Sequence, residues 1–109
     1  MGKAYIVDAK RTPVGKARGC LSKTRADDLL VHAIQSVLMA SDESQEINNN
    51  IDDIIVGCAM PEAEQGLNVA RLGLIYAGLP NCVPGMTINR FCSSGVQSVA
   101  IGADRIAAG

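Results

Sequence analysis

Val83-Pro84-Gly85-Met86-Thr87-Ile88 runs without interruption into Asn89-Arg90-Phe91-Cys92-Ser93-Ser94-Gly95, and a long run of small residues at helical spacing follows. The pattern predicts a strand over 86–91, a cysteine, and a helix over 93–108. A thiol thus sits where a strand ends and a helix begins. The first turn of a helix has unpaired N–H groups and the positive end of the dipole, and both favour an anion. The thiolate is the nucleophilic form of cysteine, so Cys92 is a candidate nucleophile. The competing reading is packing, because cysteine is among the most buried residue types.

Outward from this junction, strand and helix alternate three times. Downstream, Val96, Val99, Ala100, Ala103, Ile106 and Ala107 fall on one face of the helix, and Asp104 and Arg105 are its only charges. A helix with so little polar surface expects burial on several sides. Three strands and two other helices can hardly provide it, so the chain reads as truncated. Upstream, Asn68 is placed to cap a helix through Val69, Leu72, Ile75 and Tyr76, stopped by Gly78 and Pro80. Residues 52–58 (Asp52-Asp53-Ile54-Ile55-Val56-Gly57-Cys58) form a continuous β-branched strand, as buried parallel strands do. Residues 41–50 are polar, end in three asparagines, and read as a loop. Thr24, with Asp27 three residues on, predicts a helix start, and Leu30, Ala33, Ile34, Val37 and Leu38 form its apolar stripe. His32 lies opposite that stripe, facing solvent. Residues 3–8 read as a first buried strand, closed by a turn at 11–15. The expected class is α/β: a βαβαβα order, a mostly parallel sheet and helices on its faces. Sites in such sheets gather at the carboxyl ends of strands, where Cys92 stands.

Composition narrows the function. The 109 residues suffice for one modest domain, and residues 1–109 are read as one partial domain. With 48% hydrophobic residues, three aromatics and no Trp, packing is aliphatic. A net charge of −1 with scattered basic residues leaves no nucleic-acid footprint. Apolar runs fall short of the ~18 residues that span a bilayer, and no apolar signal region opens the chain. A cytoplasmic location is the expectation. Cys20, Cys58, Cys82 and Cys92 include no C-x-x-C pair and accompany a single histidine, so no zinc pattern emerges and free thiols are expected. A redox pair of Cys82 with Cys92 is discounted, because the intervening strand holds its ends beyond the ~7 Å limit for a disulfide.

Three segments resemble the thiolase family, in the family's order. They are Val7-Asp8-Ala9-Lys10-Arg11-Thr12-Pro13-Val14-Gly15, Gly66-Leu67-Asn68-Val69-Ala70-Arg71, and Asn89-Arg90-Phe91-Cys92-Ser93-Ser94-Gly95-Val96-Gln97. Arg25-Ala26-Asp27-Asp28-Leu29 also fits. Nearly all of the chain is covered, but only the opening part of a family member. The resemblance implies most of the first of two similar βαβαβαββ halves. It also implies a homodimer or homotetramer when complete, acyl-CoA and coenzyme A as substrates, and no permanently bound cofactor. It implies an acetyl-CoA C-acyltransferase acting in fatty-acid β-oxidation. There Cys92 attacks the 3-keto carbonyl, expels acetyl-CoA, and holds the shortened acyl group until coenzyme A removes it. Such a covalent route divides one hard step into two. The backbone N–H of Cys92 would help hold an oxyanion.

The same resemblance places a second cysteine, a histidine and an asparagine later in a family member. Cys20, Cys58, Cys82 and His32 do not match them, so this chain alone is expected to be inactive. Gln97 resembles the degradative type; acetoacetyl-CoA thiolases, which run in the condensing direction, more often carry lysine nearby. Ketoacyl synthases also start a helix with cysteine but lack the Lys-Arg-Thr-Pro opening. A non-catalytic fragment or interaction module is the alternative from another class. Ser93 and Ser94 read as small residues that let the helix start close to the sheet, rather than as catalytic hydroxyls. Arg11 and Lys16 read as turn and surface residues. Asn68 and Arg71 read as cap and interface contacts, and Asp27-Asp28 and Asp52-Asp53 as solvated faces.

Overall fold

The structure is a computed structural model of the chain, and it describes residues 2–40 and 44–109. Among the described residues there are four α-helices: α1 (Ala26–Leu38), α2 (Ser44–Asn49), α3 (Val69–Tyr76) and α4 (Ser94–Ala108). Two strands, β1 (Ile54–Gly57) and β2 (Gly85–Ile88), pair in parallel with Ile54 opposite Gly85 and Gly57 opposite Ile88. The pairing extends past both ends through Ile54 N–H to Pro84 O (3.2 Å) and Cys58 N–H to Ile88 O (2.9 Å). β1 and β2 are joined through α3, as a parallel pair requires a crossover. β1 lies within the segment predicted over 52–58 and is shorter, while β2 begins at Gly85, one residue before the segment predicted over 86–91, and ends at Ile88.

The core forms where α1, α3 and the sheet meet. Leu38, Leu74, Leu79 and Val83 are buried together, with Ile34, Ile51 and Ile54 packed around them. Leu74 and Ala70 are fully buried. Asn68 caps α3 as expected: its Oδ1 accepts from Arg71 N–H at 3.3 Å. The same side chain ties α3 to β2, donating to Gly85 O at 2.8 Å and accepting from Thr87 Oγ1 at 2.7 Å. The end of α3 is a Schellman arrangement. Gly78 takes φ +88°, its N–H bonds Ile75 O (3.0 Å), Leu79 N–H bonds Leu74 O (3.1 Å), and Leu79 packs on Leu74. Arg71 then holds the connection to β2, donating to Asn81 O and Val83 O.

Four expectations need correction. Residues 3–8 form no strand. Tyr5, Ile6 and Val7 are 75%, 81% and 94% exposed. β-Propensity reflects fit to a half-buried pleated surface, and residues 3–7 are all exposed here, with only Asp8 partly buried. The turn expected at 11–15 falls instead at 17–24, closed by Gly19 N–H to Lys16 O (2.9 Å) and Thr24 N–H to Leu21 O (3.0 Å). α1 starts at Ala26, not after a Thr24 cap. Its first N–H is taken by the Glu64 carboxylate at 3.1 Å, a partner 38 residues away. The predicted loop over 41–50 contains α2, ended where Asn50 Nδ2 donates to Glu46 O (2.7 Å); residues 41–43 of that loop lie outside the described residues. α3 itself buries Val69, Ala70, Gly73 and Leu74, while Ile75 and Tyr76 are exposed. Gly73 gives α1 its close approach: a Cβ there would stand 2.8 Å from Leu30 Cδ2.

α4 lies against β1 and β2 through its small-residue side. Val96, Val99, Ala100 and Ile106, which the sequence marks as the apolar face, are exposed. The described residues leave that face uncovered, as the composition of the helix anticipates.

Candidate active site around Cys92

The carboxyl ends of β1 and β2 are bound together by one side chain. Asn89, the first residue after β2, donates from Nδ2 to Ala59 O at 3.3 Å, just beyond β1. Its Oδ1 accepts from Phe91 N–H at 2.8 Å. Phe91 takes φ +48°, a conformation that is an outlier for a bulky L-residue. Phe91–Ser93 make a 3₁₀ turn, and α4 follows directly. Cys92 is therefore two residues ahead of α4, in the turn that feeds it, rather than in its first turn. It is exposed.

Ser94 supports the turn from beneath. It is 4% exposed; its Oγ accepts from Arg90 N–H at 2.9 Å and donates to Phe91 O at 2.7 Å. Ser93 Oγ donates to Arg90 O at 3.0 Å. The Ser94 backbone rests on β1 at Gly57, where a Cβ would fall 2.5 Å from Ser94 C and 2.7 Å from Gly95 N. Only glycine permits that approach. The small-residue reading of Ser94 is correct for space and incomplete for chemistry, because its hydroxyl also bridges the turn. Arg90 reaches forward along α4 and donates to Gln97 Oε1.

The other candidates are dispersed. Cys58, at the end of β1, is buried, with its Sγ 3.9 Å from Gln65 Oε1. Cys20 and Cys82 are exposed, and all four thiols are free. His32 faces solvent on α1, and Arg11 and Lys16 are exposed. Of the adjacent acids, Asp28 and Asp52 are exposed as expected, but Asp27 and Asp53 are not simply solvated. Arg25 binds Asp27 in bidentate fashion (Nε–Oδ1 3.0 Å, Nη2–Oδ2 2.8 Å) and lies 3.7 Å from Glu64. That hydrogen bond holds the Asp27 carboxyl below its ordinary range, against the opposing effect of desolvation. Asp53 pairs with Arg105 of α4.

A hollow of about 710 Å³, lined by Asp52, Ile55, Arg105 and Ile106 among others, opens at the amino end of β1, away from Cys92. Among the described residues no cluster of three or more His, Cys, Asp or Glu side chains is arranged to hold a metal, and no helix is long and apolar enough to cross a membrane.

The arrangement thus offers one exposed thiol at the carboxyl end of a parallel sheet, on a turn bonded on every side. A family model described as the N-terminal domain of thiolase matches residues 4–109. This chain belongs to the thiolase family. The thiolase chain is 50% identical along all of its length to the 3-ketoacyl-CoA thiolase of Bacillus subtilis (strain 168). It is 45% identical over 95% of its length to the 3-ketoacyl-CoA thiolase of Saccharophagus degradans. To the 3-oxoadipyl-CoA/3-oxo-5,6-dehydrosuberyl-CoA thiolase of Escherichia coli (strain K12) it is 42% identical along all of its length. It spans 27%, 26% and 27% of these curated relatives respectively. Its helices and two-stranded parallel sheet form an α/β fragment of the thiolase N-terminal domain, in line with the motifs that carry the resemblance.

Proposed function

We propose that this chain belongs to an acyltransferase that cleaves 3-ketoacyl-CoA thioesters, with Cys92 as the acyl-accepting nucleophile. The observation that carries the reading is the exposed Cys92 thiol on the fixed turn between β2 and α4, within a chain of this family. The Cys92 sulfur adds to the 3-keto carbon, and the bond between C2 and C3 breaks. Its electron pair leaves on acetyl-CoA, which takes up a proton. The shortened acyl group stays on Cys92 as a thioester until the thiol of coenzyme A attacks it and releases Cys92. Coenzyme A and its thioesters are substrates, and no permanently bound group takes part.

Gln97, held by Arg90, supports the degradative direction and a place in fatty-acid β-oxidation. The printed names of the Bacillus and Saccharophagus relatives support a 3-ketoacyl-CoA substrate. The uncovered stripe of Val96, Val99 and Ile106 supports association into a homodimer or homotetramer. These 109 residues alone have no turnover, because His32 and the other cysteines are not placed as the partner acid–base groups. Removing members of a cooperating catalytic set abolishes most of the rate.

The test is the native polypeptide exposed to acetyl-CoA, digested and mapped by mass. One acetyl group on the Cys92 peptide, lost in Cys92→Ala, is expected. An unmodified Cys92 peptide overturns the reading and leaves a thiolase-like interaction module.

A further inference from the structure

The turn carrying Cys92 holds more hydrogen bonds than its length requires, and they converge on two residues. Every main-chain polar group of Arg90 and Phe91 has a partner. Arg90 N–H is taken by Ser94 Oγ, and Arg90 O accepts from Ser93 N–H (3.2 Å) and Ser93 Oγ. Phe91 N–H is taken by Asn89 Oδ1, while Phe91 O accepts from Ser94 N–H and Ser94 Oγ. In the middle stands a phenylalanine at φ +48° whose side chain is 70% exposed, so no packing of its ring accounts for the conformation. Residues in sparsely populated backbone regions persist only where their surroundings over-determine them. Two side chains do so here. Asn89 uses both ends of its amide, anchoring to Ala59 O on one side and fixing Phe91 N–H on the other. Ser94 is buried against Gly57 and bridges Arg90 to Phe91.

We infer that Asn89 and Ser94 are positioning residues for the acyl transfer: they clamp Phe91 in its left-handed turn and thereby fix where the Cys92 thiol stands. The inference rests on Cys92 being the nucleophile. Neither residue needs to touch substrate. Their effect is to hold the sulfur in one place before substrate arrives, and small misplacements of a reacting group cost rate rather than binding. The clamp exists because the turn is built from an L-residue. Glycine at position 91 would adopt the same φ without help.

The experiment uses the native polypeptide and compares Asn89→Ala, Ser94→Ala, Asn89→Ala combined with Phe91→Gly, and His32→Ala as a control on the exposed face of α1. Acylation of Cys92 by acetyl-CoA is timed by peptide mass, and kcat and KM are measured for thiolysis. Asn89→Ala and Ser94→Ala are expected to lower kcat and the acylation rate roughly 100-fold while KM moves less than about 3-fold. Adding Phe91→Gly to Asn89→Ala is expected to restore most of that loss, a rescue that a merely structural role would not give. Because Asn89 is exposed, its variant keeps the core intact even if Ser94→Ala, which empties a buried contact, fails to fold. Acylation at the control rate in Asn89→Ala, or no rescue by Phe91→Gly, overturns the clamp while leaving Cys92 as nucleophile. An unacetylated Cys92 in the unsubstituted protein overturns both readings, and is seen before any variant is made.

Discussion

Residues 3–8 and residues 89–94 are both strongly patterned in the sequence, yet only one is held in a fixed geometry. Residues 89–94 bond their own main chain through Asn89, Ser93 and Ser94, and reach across to Ala59. Residues 3–8 have β-branched and aromatic side chains but leave Tyr5, Ile6 and Val7 largely in solvent. Short polar side chains near the backbone specify a conformation locally. A hydrophobic strand specifies only a demand for neighbours.

The comparison breaks first at Gly57. Gly57→Ala drives a methyl into the Ser94 backbone, so it is expected to lower stability by about 1–3 kcal/mol, as overpacking does. A fall in the urea midpoint with unchanged slope checks this, and Cys92 acylation is expected to fall with it. Next comes Asn68→Ala, which removes the α3 cap and both links to β2. A loss of about 0.5–2 kcal/mol is expected by the same measurement, the usual range for a cap.

A smaller effect concerns pH. The Asp27 carboxyl is held low by Arg25. Its contribution to stability is therefore fully present above the unfolded carboxylate value of about 3.9, and is lost as pH falls through the lower folded value. Asp27→Asn is expected to be less stable than the parent near neutrality, with the gap closing in acid; a gap independent of pH would refute the pair. The smallest effect is expected at the open segment: Ile6→Ser changes the stability of this chain by no more than about 0.5 kcal/mol. Hydrogen exchange sharpens the contrast, with Arg90 and Phe91 amides protected and Tyr5, Ile6 and Val7 amides exchanging freely.

What was legible follows the same division. Asn68 as a cap and Gly78 as a stop are local chemistry, and both are found where the sequence puts them. The parallel pairing of the two β-branched runs was also legible, since an intervening helix leaves little else. The packing of α3 on α1 was not legible, because Gly73 has no side chain to enter an apolar stripe, although its bareness is what brings α1 close. α2 escaped because Ser44–Asn49 carries no apolar period. The α1 start was displaced by Glu64, whose distance in sequence hides it. At the candidate site, the exposed position of Cys92 after a strand was visible in the sequence. The left-handed Phe91 was not, because phenylalanine is among the residues least expected there. Only the Asn and Ser flanking it hinted at a turn.

The bond from Asn89 to Ala59 spans 30 residues of chain. It has no counterpart until α3 has folded back and β2 has found β1, and long-range pairing of this kind is slow because loop closure comes before its reward. The bond that anchors the turn to β1 is therefore expected to be among the last features to form in this part of the molecule, after the local bonds of the turn itself. A thiol label applied at intervals during refolding would time the completion of the crossover, with Cys58 disappearing into the interior as the internal clock.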